Sequence, residues 1–127
     1  MIGYVMLGAD DLERAWAFYD ALAAELDAPR MMEWPGAVAW APRDGKGVGI
    51  GVGRPFDGAP ATVGNGVMVA FQARDKDQVR RLHDIALAHG GTCEGPPGPR
   101  GEGFYAAYFR DPQGNKLNAF VMGDAAA

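Results

Sequence analysis

Residues 104–120 read FYAAYFRDPQGNKLNAF, and this stretch predicts the last hairpin of the fold. Two runs rich in aromatic and aliphatic residues, 104–109 and 116–120, flank the polar break Asp111-Pro112-Gln113-Gly114-Asn115. Proline presets φ at the second position of a type I turn, and an aspartate at the first position can hydrogen-bond to the backbone ahead of it. The stretch therefore predicts two antiparallel strands joined by a tight turn.

The first half of the chain reads as one strand, one helix and three more strands. An apolar strand is predicted at residues 2–7, followed by an amphipathic helix that begins at a capping box of Asp10 and Glu13 and ends at Pro29. Three strand candidates follow, at residues 30–33, 37–41 and 47–52. The third alternates glycine with valine or isoleucine, which either lets a ligand approach or marks a tight packing position.

The second half repeats this order after a linker rich in proline, glycine and alanine at residues 54–64. A strand is predicted at residues 66–73, and a second helix begins at Asp75 and Gln78 and ends at Gly90-Gly91. The remaining elements are a brief strand at residues 92–94, a loop at residues 95–103 and the final hairpin.

The repeat predicts an α+β fold that contains two βαβββ modules in one domain. The first strands of the modules lie 64 residues apart, from Tyr4 to Met68. Only two copies are present, which favours duplication within a globular domain over a solenoid. The expected domain spans residues 1–127, with module 1 at about residues 1–55, the linker at residues 54–64 and module 2 at about residues 65–122.

Composition excludes several classes of partner. The chain has 127 residues, a mass of 13.5 kDa and a formal net charge of −4, which argues against binding to nucleic acid or to an anionic membrane surface and would tolerate a cationic ligand. The sequence shows no signal peptide and no apolar run long enough to span a bilayer. Cys93 is the one cysteine, so an internal disulfide is impossible and a cytoplasmic location is expected.

Four stretches of the chain resemble the vicinal oxygen chelate superfamily, which includes glyoxalase I, extradiol dioxygenases, fosfomycin-resistance enzymes and bleomycin-resistance proteins. They read IGYVMLGADDLERAWAFYDAL, GVMVAF, LAHGG and YAAYFRDPQGNKLNAF. The resemblance covers residues 2–122 and is closest to the small single-chain glyoxalase family proteins. It implies a curved, partly open barrel of mixed sheet with the helices outside and the ligand site on the concave face.

The resemblance also implies where a catalytic metal would be held. The family's ligand positions fall on Tyr4, Met68 and Asn118. A neutral phenol, a thioether and an amide are not the ligands of a catalytic zinc, nickel or iron ion. We therefore expect no metal cofactor, although a divalent metal held by other residues stays an alternative.

The histidines and the cysteine offer no replacement site by sequence. His83 and His89 lie six residues apart on one helix, about 240° around its axis, so they do not share a face. We expect His83 to be exposed or at a boundary and His89 to lie at the helix C-terminus. Cys93 is interpreted as a small buried hydrophobic residue without a histidine partner.

Strand alternation predicts which residues line the concave face. The residues predicted to face inward are Tyr4, Met6, Met68, Ala70, Gln72, Asn118 and Phe120. Aromatic walls are expected from Trp34, Trp40, Tyr105 or Phe104, and Tyr108. In the loop before the hairpin, Arg100 would meet an anionic substituent and Glu102 a cationic one, unless both are solvated loop charges. The other interpretation of the methionines and aromatic residues is that they fill the barrel.

Three functions are compatible with these residues. The first is a homodimer that binds a small, partly apolar molecule in the concave cavity without a metal. The second is a glyoxalase-type lyase or a dioxygenase-like metalloenzyme that acts on a substrate with vicinal oxygens, so whether the chain is an enzyme is left open. The third is a structural module with a filled barrel. Fold alone does not choose among them.

Overall fold

The computed structural model describes residues 1–127 and contains two four-stranded mixed sheets, each with its own helix. The elements of module 1 are β1 (Tyr4–Gly8), α1 (Leu12–Glu25), β2 (Arg30–Trp34), β3 (Ala37–Trp40) and β4 (Gly49–Gly53). Those of module 2 are β5 (Val69–Gln72), α2 (Lys76–Ala88), β6 (Thr92–Pro99), β7 (Phe104–Arg110) and β8 (Lys116–Met122). A short 3-10 helix, Gly123–Ala126, follows β8.

The two sheets share one topology, with strand orders β1-β4-β3-β2 and β5-β8-β7-β6. In each sheet the first strand pairs in parallel with the last strand, and the other pairings are antiparallel. The predicted α+β duplication is confirmed. The sheets are not closed into a continuous barrel, because β1 and β5 remain at the sheet edges.

The core lies between the helices and one face of each sheet. α1 packs on β3 and β4, α2 packs on β6, β7 and β8, and the two helices pack on each other. Strand alternation sends Leu7, Leu117, Ala119 and Val121 into this core, on the face opposite the residues predicted to face inward. The opposite face of each sheet carries no helix, and we call it the inner face.

The first helix begins one residue later than predicted. Asp11, not Asp10, is the cap of α1, and its carboxylate accepts a hydrogen bond from the Arg14 amide. Asp10 instead accepts a hydrogen bond from the Ala61 amide at 2.8 Å, so it holds the linker against the start of the helix. In α2 the predicted cap is correct, because Asp75 accepts from the Gln78 amide.

The third strand of module 2 is longer than predicted. β6 runs to Pro99, although residues 95–99 were expected to lie in a loop. Its pairing with β7 is interrupted by register shifts around Gly95 and Gly98. Prolines are tolerated here because β6 is an edge strand with an interrupted register.

The turn between β7 and β8 is organised around a buried aspartate. One carboxylate oxygen of Asp111 accepts from the amides of Gln113, Gly114 and Asn115, each at 2.9 Å. The other accepts from the Asn115 side chain and, at 2.7 Å, from the Tyr19 hydroxyl of α1. Burial, with a further contribution from Asp111, raises the pKa of Tyr19 well above its usual value.

This turn also joins the two modules. The Asn115 side chain donates to the Gly8 carbonyl at the end of β1 at 2.9 Å, and the Gln113 side chain accepts from the Asp10 amide at 2.9 Å. The predicted hairpin thus ends module 2 and also holds module 1 in place through these hydrogen bonds. No helix of the chain has the length and apolarity needed to cross a membrane.

Candidate functional site

The inner face of module 1 is a floor of small residues under large, exposed side chains. Tyr4 and Met6 of β1 pair with Gly49 and Gly51 of β4, and a Cβ atom on Gly51 would collide with the Met6 sulfur. The methionine side chain therefore lies over the glycine. Tyr4 is 70% exposed, and Trp34 of β2 is exposed on the same face.

The inner face of module 2 is chemically different, because it runs from an aromatic end to a charged end. At the aromatic end the Phe104 and Phe120 rings stack at a centroid distance of 5.6 Å. At the charged end the Glu94 carboxylate forms ion pairs with Arg110 at 2.8 Å and with Lys116 at 3.7 Å. The Arg110 hydrogen bond is the main reason why the pKa of Glu94 is lowered.

Tyr108 lies between two cations on this face. The guanidinium carbon of Arg100 is 5.5 Å from the centre of its ring, and the Lys116 ammonium is 5.7 Å from it. Arg100 lies across Gly95 and Gly98 of β6, where a Cβ atom at either glycine would come within 3.1 Å of the guanidinium. The two glycines thus leave room for the arginine to lie flat on the sheet.

Asn118 lies at the centre of the inner face of module 2. It pairs with Ala70 on one side and with Tyr108 on the other. The side chain is 1% exposed, and its Oδ1 atom is the one buried side-chain polar atom without a hydrogen-bond partner. An orphaned buried acceptor is costly, so its presence points to a polar contact that the single chain does not supply.

The residues at the family's metal positions do not fit a metal ion. They are the phenol of Tyr4, the thioether of Met68 and the amide of Asn118. Nowhere does the chain gather three or more histidine, cysteine, aspartate or glutamate side chains into a group that could hold a metal. The donor set present is not one that binds a catalytic transition metal.

Five of the predicted cavity residues line three open clefts, and Tyr4, Arg100, Tyr105, Asn118 and Phe120 line none of the three. Met6 lines a cleft of about 440 Å³ beside residues 53–57. Met68 lines a second cleft, of about 530 Å³, together with Arg110 and Lys116. A third cleft of about 460 Å³ contains Trp40, Ala70 and Gln72.

Two predicted wall residues lie on the helix side of the sheets instead. Trp40 is buried next to α1, where its indole nitrogen donates to Asp20 at 2.8 Å. Hydrogen bonds from Arg30 are the main cause of the lowered pKa of that carboxyl. Tyr105 is buried beneath Lys76 and Arg80 of α2. Both positions follow from alternation, since Trp40 shares a strand face with Val38 and Tyr105 shares one with Ala107 and Phe109.

The predictions for His83 and Cys93 were wrong. His83 is 6% exposed on the buried face of α2, whereas Cys93 is exposed on the edge strand β6. The histidine Nε2 atom lies 3.2 Å from the cysteine sulfur, and burial lowers the pKa of His83. The helical period of the sequence indicated a buried His83, because this residue follows the buried residue Val79 by one helical turn.

The charged end of the inner face was missed by the sequence interpretation. Lys116 was assigned to the second strand run and Arg110 to neither run nor turn, both without a role, and Glu94 was assigned to a brief strand without a partner. Alternation from Tyr108 to Arg110, and from Asn118 back to Lys116, would have placed both cations on the inner face.

Comparison with known proteins matches the chain to one family and one fold. The profile of the Glyoxalase/Bleomycin resistance protein/Dioxygenase superfamily matches residues 1–119. A glyoxalase/bleomycin resistance protein from Albidiferax ferrireducens T118 is 38% identical, with a TM-score of 0.86 over 94% of this chain and 97% of that chain. No curated protein sequence matches the chain.

More distant solved structures share the fold alone. A glyoxalase-related enzyme from Fulvimarina pelagi is 19% identical, with a TM-score of 0.75 over 100% of this chain and 95% of that chain. A lactoylglutathione lyase from Agrobacterium tumefaciens is 24% identical, with a TM-score of 0.66 over 94% of this chain and 92% of that chain.

Proposed function

Since the chain belongs to the Glyoxalase/Bleomycin resistance protein/Dioxygenase superfamily, we propose that it is a binding protein that holds a small, partly apolar molecule on its inner faces without a metal ion. The observation that supports this most is the chemistry at the family's metal positions. Tyr4, Met68 and Asn118 present a phenol, a thioether and an amide there. These groups make apolar contacts and neutral hydrogen bonds, which are the usual interactions of a small-molecule pocket.

The exposed side chains of module 1 support an apolar ligand. Tyr4, Met6, Met32 and Trp34 are all large, hydrophobic and exposed. They project from the inner face above glycine and alanine. A cluster of exposed apolar side chains of this kind is typical of a binding or association surface.

We further propose that the chain works as a homodimer. In a single copy the inner faces line open clefts, and the edges of β1 and β5 are unpaired. Unpaired edges and open apolar faces are normally covered by another subunit or segment. A second copy would cover both and would exclude water from the ligand.

Metal content and mass test the two parts of the proposal. For protein purified without an affinity tag or chelator, we expect less than about a tenth of an equivalent of any transition metal, against nearly full occupancy for a tight site. Light scattering should give twice the chain mass of 13.5 kDa. A stoichiometric metal would overturn the metal-free proposal in favour of a lyase or dioxygenase, and a 13.5 kDa species would overturn the dimer.

A pair of matched substitutions tests the location of the ligand. Met6→Glu places a charge on the inner face, and Leu87→Glu places one at a similarly exposed position on α2. A screen of small aromatic and aliphatic compounds by calorimetry should yield ligands that Met6→Glu loses and Leu87→Glu keeps. Equal affinities in the two variants would place the ligand away from the inner face of module 1, and a screen without any saturable binder would favour a filled structural module.

A further inference from the structure

The inner face of module 2 carries an excess of positive charge in an acidic protein. The chain has a net charge of −4, yet this face presents Arg100, Arg110 and Lys116 against the single carboxylate of Glu94. Glu94 offsets one of the two cations it touches. Arg100 takes part in none of the ion pairs of the chain and donates only to the carbonyls of Pro96 and Pro99. An exposed arginine without an acidic partner is available to an anion.

The hydrogen-bonding groups beside these cations are also unused. Tyr19 is the one tyrosine whose hydroxyl hydrogen-bonds within the chain, so the Tyr108 hydroxyl is free. The Oδ1 atom of the almost fully buried Asn118 has no partner. Tyr108 and Asn118 are paired residues on adjacent strands and project from the same face. A phenol and an amide oxygen without partners therefore lie beside an arginine that has no acid and a lysine that shares one.

The opposite end of the same face is apolar. Phe104 and Phe120 stack there, and Phe120 lies four residues along β8 from Lys116, which corresponds to about 13 Å at the rise of a strand. The small residue Ala106 pairs with Phe120 on β7, so the floor beside the rings is flat. The charged end opens into the cleft of about 530 Å³ that Arg110 and Lys116 line.

We propose that this face binds an anionic aromatic molecule, with a carboxylate or phosphate group held by Arg100 and Lys116 beside Tyr108. The aromatic body lies along Phe104 and Phe120, and Asn118 receives a polar group of the ligand between the two ends. The assignment rests on the proposed binding function and specifies its ligand class. An anion here gains charge-assisted hydrogen bonds from an exposed arginine and a half-buried lysine.

The helix side of β7 provides a matched control, because the same arrangement occurs there in a closed form. Tyr105 has Arg80 at 5.4 Å and Lys76 at 5.5 Å from its ring, but the ring is buried and Arg80 is paired with Asp77. Substitution of Arg80 removes an arginine from a tyrosine of the same strand without touching the inner face. Its effect on anion binding should be absent.

The test uses three probes that share a naphthalene ring, 2-naphthoate, 2-naphthalenemethanol and 2-naphthylmethylammonium, together with 2-naphthyl phosphate and inorganic phosphate. Calorimetry on the whole protein should show that 2-naphthoate or 2-naphthyl phosphate binds at least about tenfold more tightly than the alcohol, and that the ammonium compound binds most weakly. Raising the salt concentration should weaken binding of the anions and leave the alcohol unchanged.

Substitutions then locate the anion. Arg100→Gln and Lys116→Gln should each weaken 2-naphthoate binding by about tenfold or more, in line with the loss of one charge-assisted hydrogen bond. Glu94→Gln should tighten it, because Arg110 and Lys116 lose their internal acid. Arg80→Gln should leave it unchanged.

The outcomes separate this inference from the function on which it rests. If none of the naphthalene compounds binds, both fall. If the acid, the alcohol and the amine bind equally, the binding function stands and the anion site falls. If the acid is preferred but Arg100→Gln and Lys116→Gln behave like Arg80→Gln, the location is wrong. If inorganic phosphate binds as tightly as the naphthyl anions, the aromatic half of the inference is overturned.

Discussion

The last strands of the two sheets, β4 and β8, occupy the same position in their modules and differ on one face only. Toward the helices both carry apolar residues, Ile50 and Val52 in β4 and Leu117 and Ala119 in β8. Toward the inner face β4 presents only glycine, at positions 49, 51 and 53, whereas β8 presents Lys116, Asn118 and Phe120. The fold requires the helix side of each strand, and the inner side is free to carry ligand chemistry.

The turns that precede these strands differ in the same way. Asp44, in the turn before β4, is exposed and accepts one hydrogen bond, from the Lys46 amide at 2.8 Å. Asp111, in the turn before β8, is 3% exposed and accepts five. One turn only reverses the chain, while the other is a buried structural centre.

The largest effect is expected from comparing these two aspartates. Asp111→Ala should lower the free energy of unfolding by about 3–4 kcal/mol, because it removes the carboxylate that accepts from three amides, an asparagine side chain and a buried tyrosine hydroxyl. Asp44→Ala should cost about 0.5 kcal/mol or less, as at other surface sites. Urea unfolding of both variants measures the difference. Equal losses of the free energy of unfolding would show that Asp111 does not stabilise the fold more than an exposed turn residue does.

The glycines of β4 should divide into two classes. Gly53→Ala should cost about 1–3 kcal/mol, because its Cβ atom would lie 2.6 Å from the Gly36 carbonyl oxygen and backbone must move. Gly51→Ala should cost less, since the obstacle there is the flexible Met6 side chain. Thermal unfolding compares the two, and a reversed order would mean that the methionine, rather than the backbone, fixes the spacing of the strands.

The buried polar residues of the two helices should limit stability at opposite ends of the pH scale. Burial lowers the pKa of His83 below 6.5, so the neutral imidazole makes its full contribution to the free energy of unfolding above pH 6.5. As the pH falls below 6.5 this contribution is lost, by up to about 1.4 kcal/mol per pH unit. The pKa of Tyr19 is raised instead, so the contribution of its neutral hydroxyl to the free energy of unfolding is present below pH 10.0 and is lost as the pH rises above that value.

Melting temperatures between pH 7.5 and pH 5 test the acidic limb. This window lies above the ordinary values of 3.8 for Asp20 and 4.5 for Glu94, the carboxyls whose pKa is lowered, so neither contributes to it. His83→Gln should flatten the decline, and His89→Gln, at the exposed end of the same helix, should preserve it. A decline of the same slope in His83→Gln would assign it to another group.

The smallest expected effect has the opposite sign. Asn118→Leu keeps the branched shape of the side chain and removes the orphaned acceptor, so it should raise the free energy of unfolding by up to about 1 kcal/mol. The same variant should bind the inner-face ligand more weakly. A variant that is less stable would instead show that the amide supports the sheet.

The helix side of the fold could be predicted from the sequence, and the inner side only in part. Leu7, Leu117 and Val121 follow the strand period, and the turn at Asp111 follows from its residue types. Trp40 and Tyr105 were misplaced because their aromatic character was given more weight than their position in the alternation. Asp10 was mistaken for a cap because Asp11 has the same chemistry one residue later.

The remaining features depend on partners distant in sequence. Arg100 lies flat on β6 because Gly95 and Gly98 leave room for it, which requires that this proline-rich stretch be a strand. Tyr19 and Asp111 are 92 residues apart, so no local sequence pattern predicts their hydrogen bond. His83 was placed at the surface because histidine usually lies there, although its helical position was a buried one.

The bond from Asn115 to Gly8 spans 107 residues and has a consequence for the order in which the protein is made. A ribosome releases Gly8 of β1 107 residues before Asn115. The last carbonyl of the first strand therefore lacks this partner while all of the intervening chain is made. Such distant contacts are also the slow ones in folding, because the loop must close before the contact contributes. The two modules resemble each other along the sequence, but the hairpin of module 2, made after module 1, completes module 1.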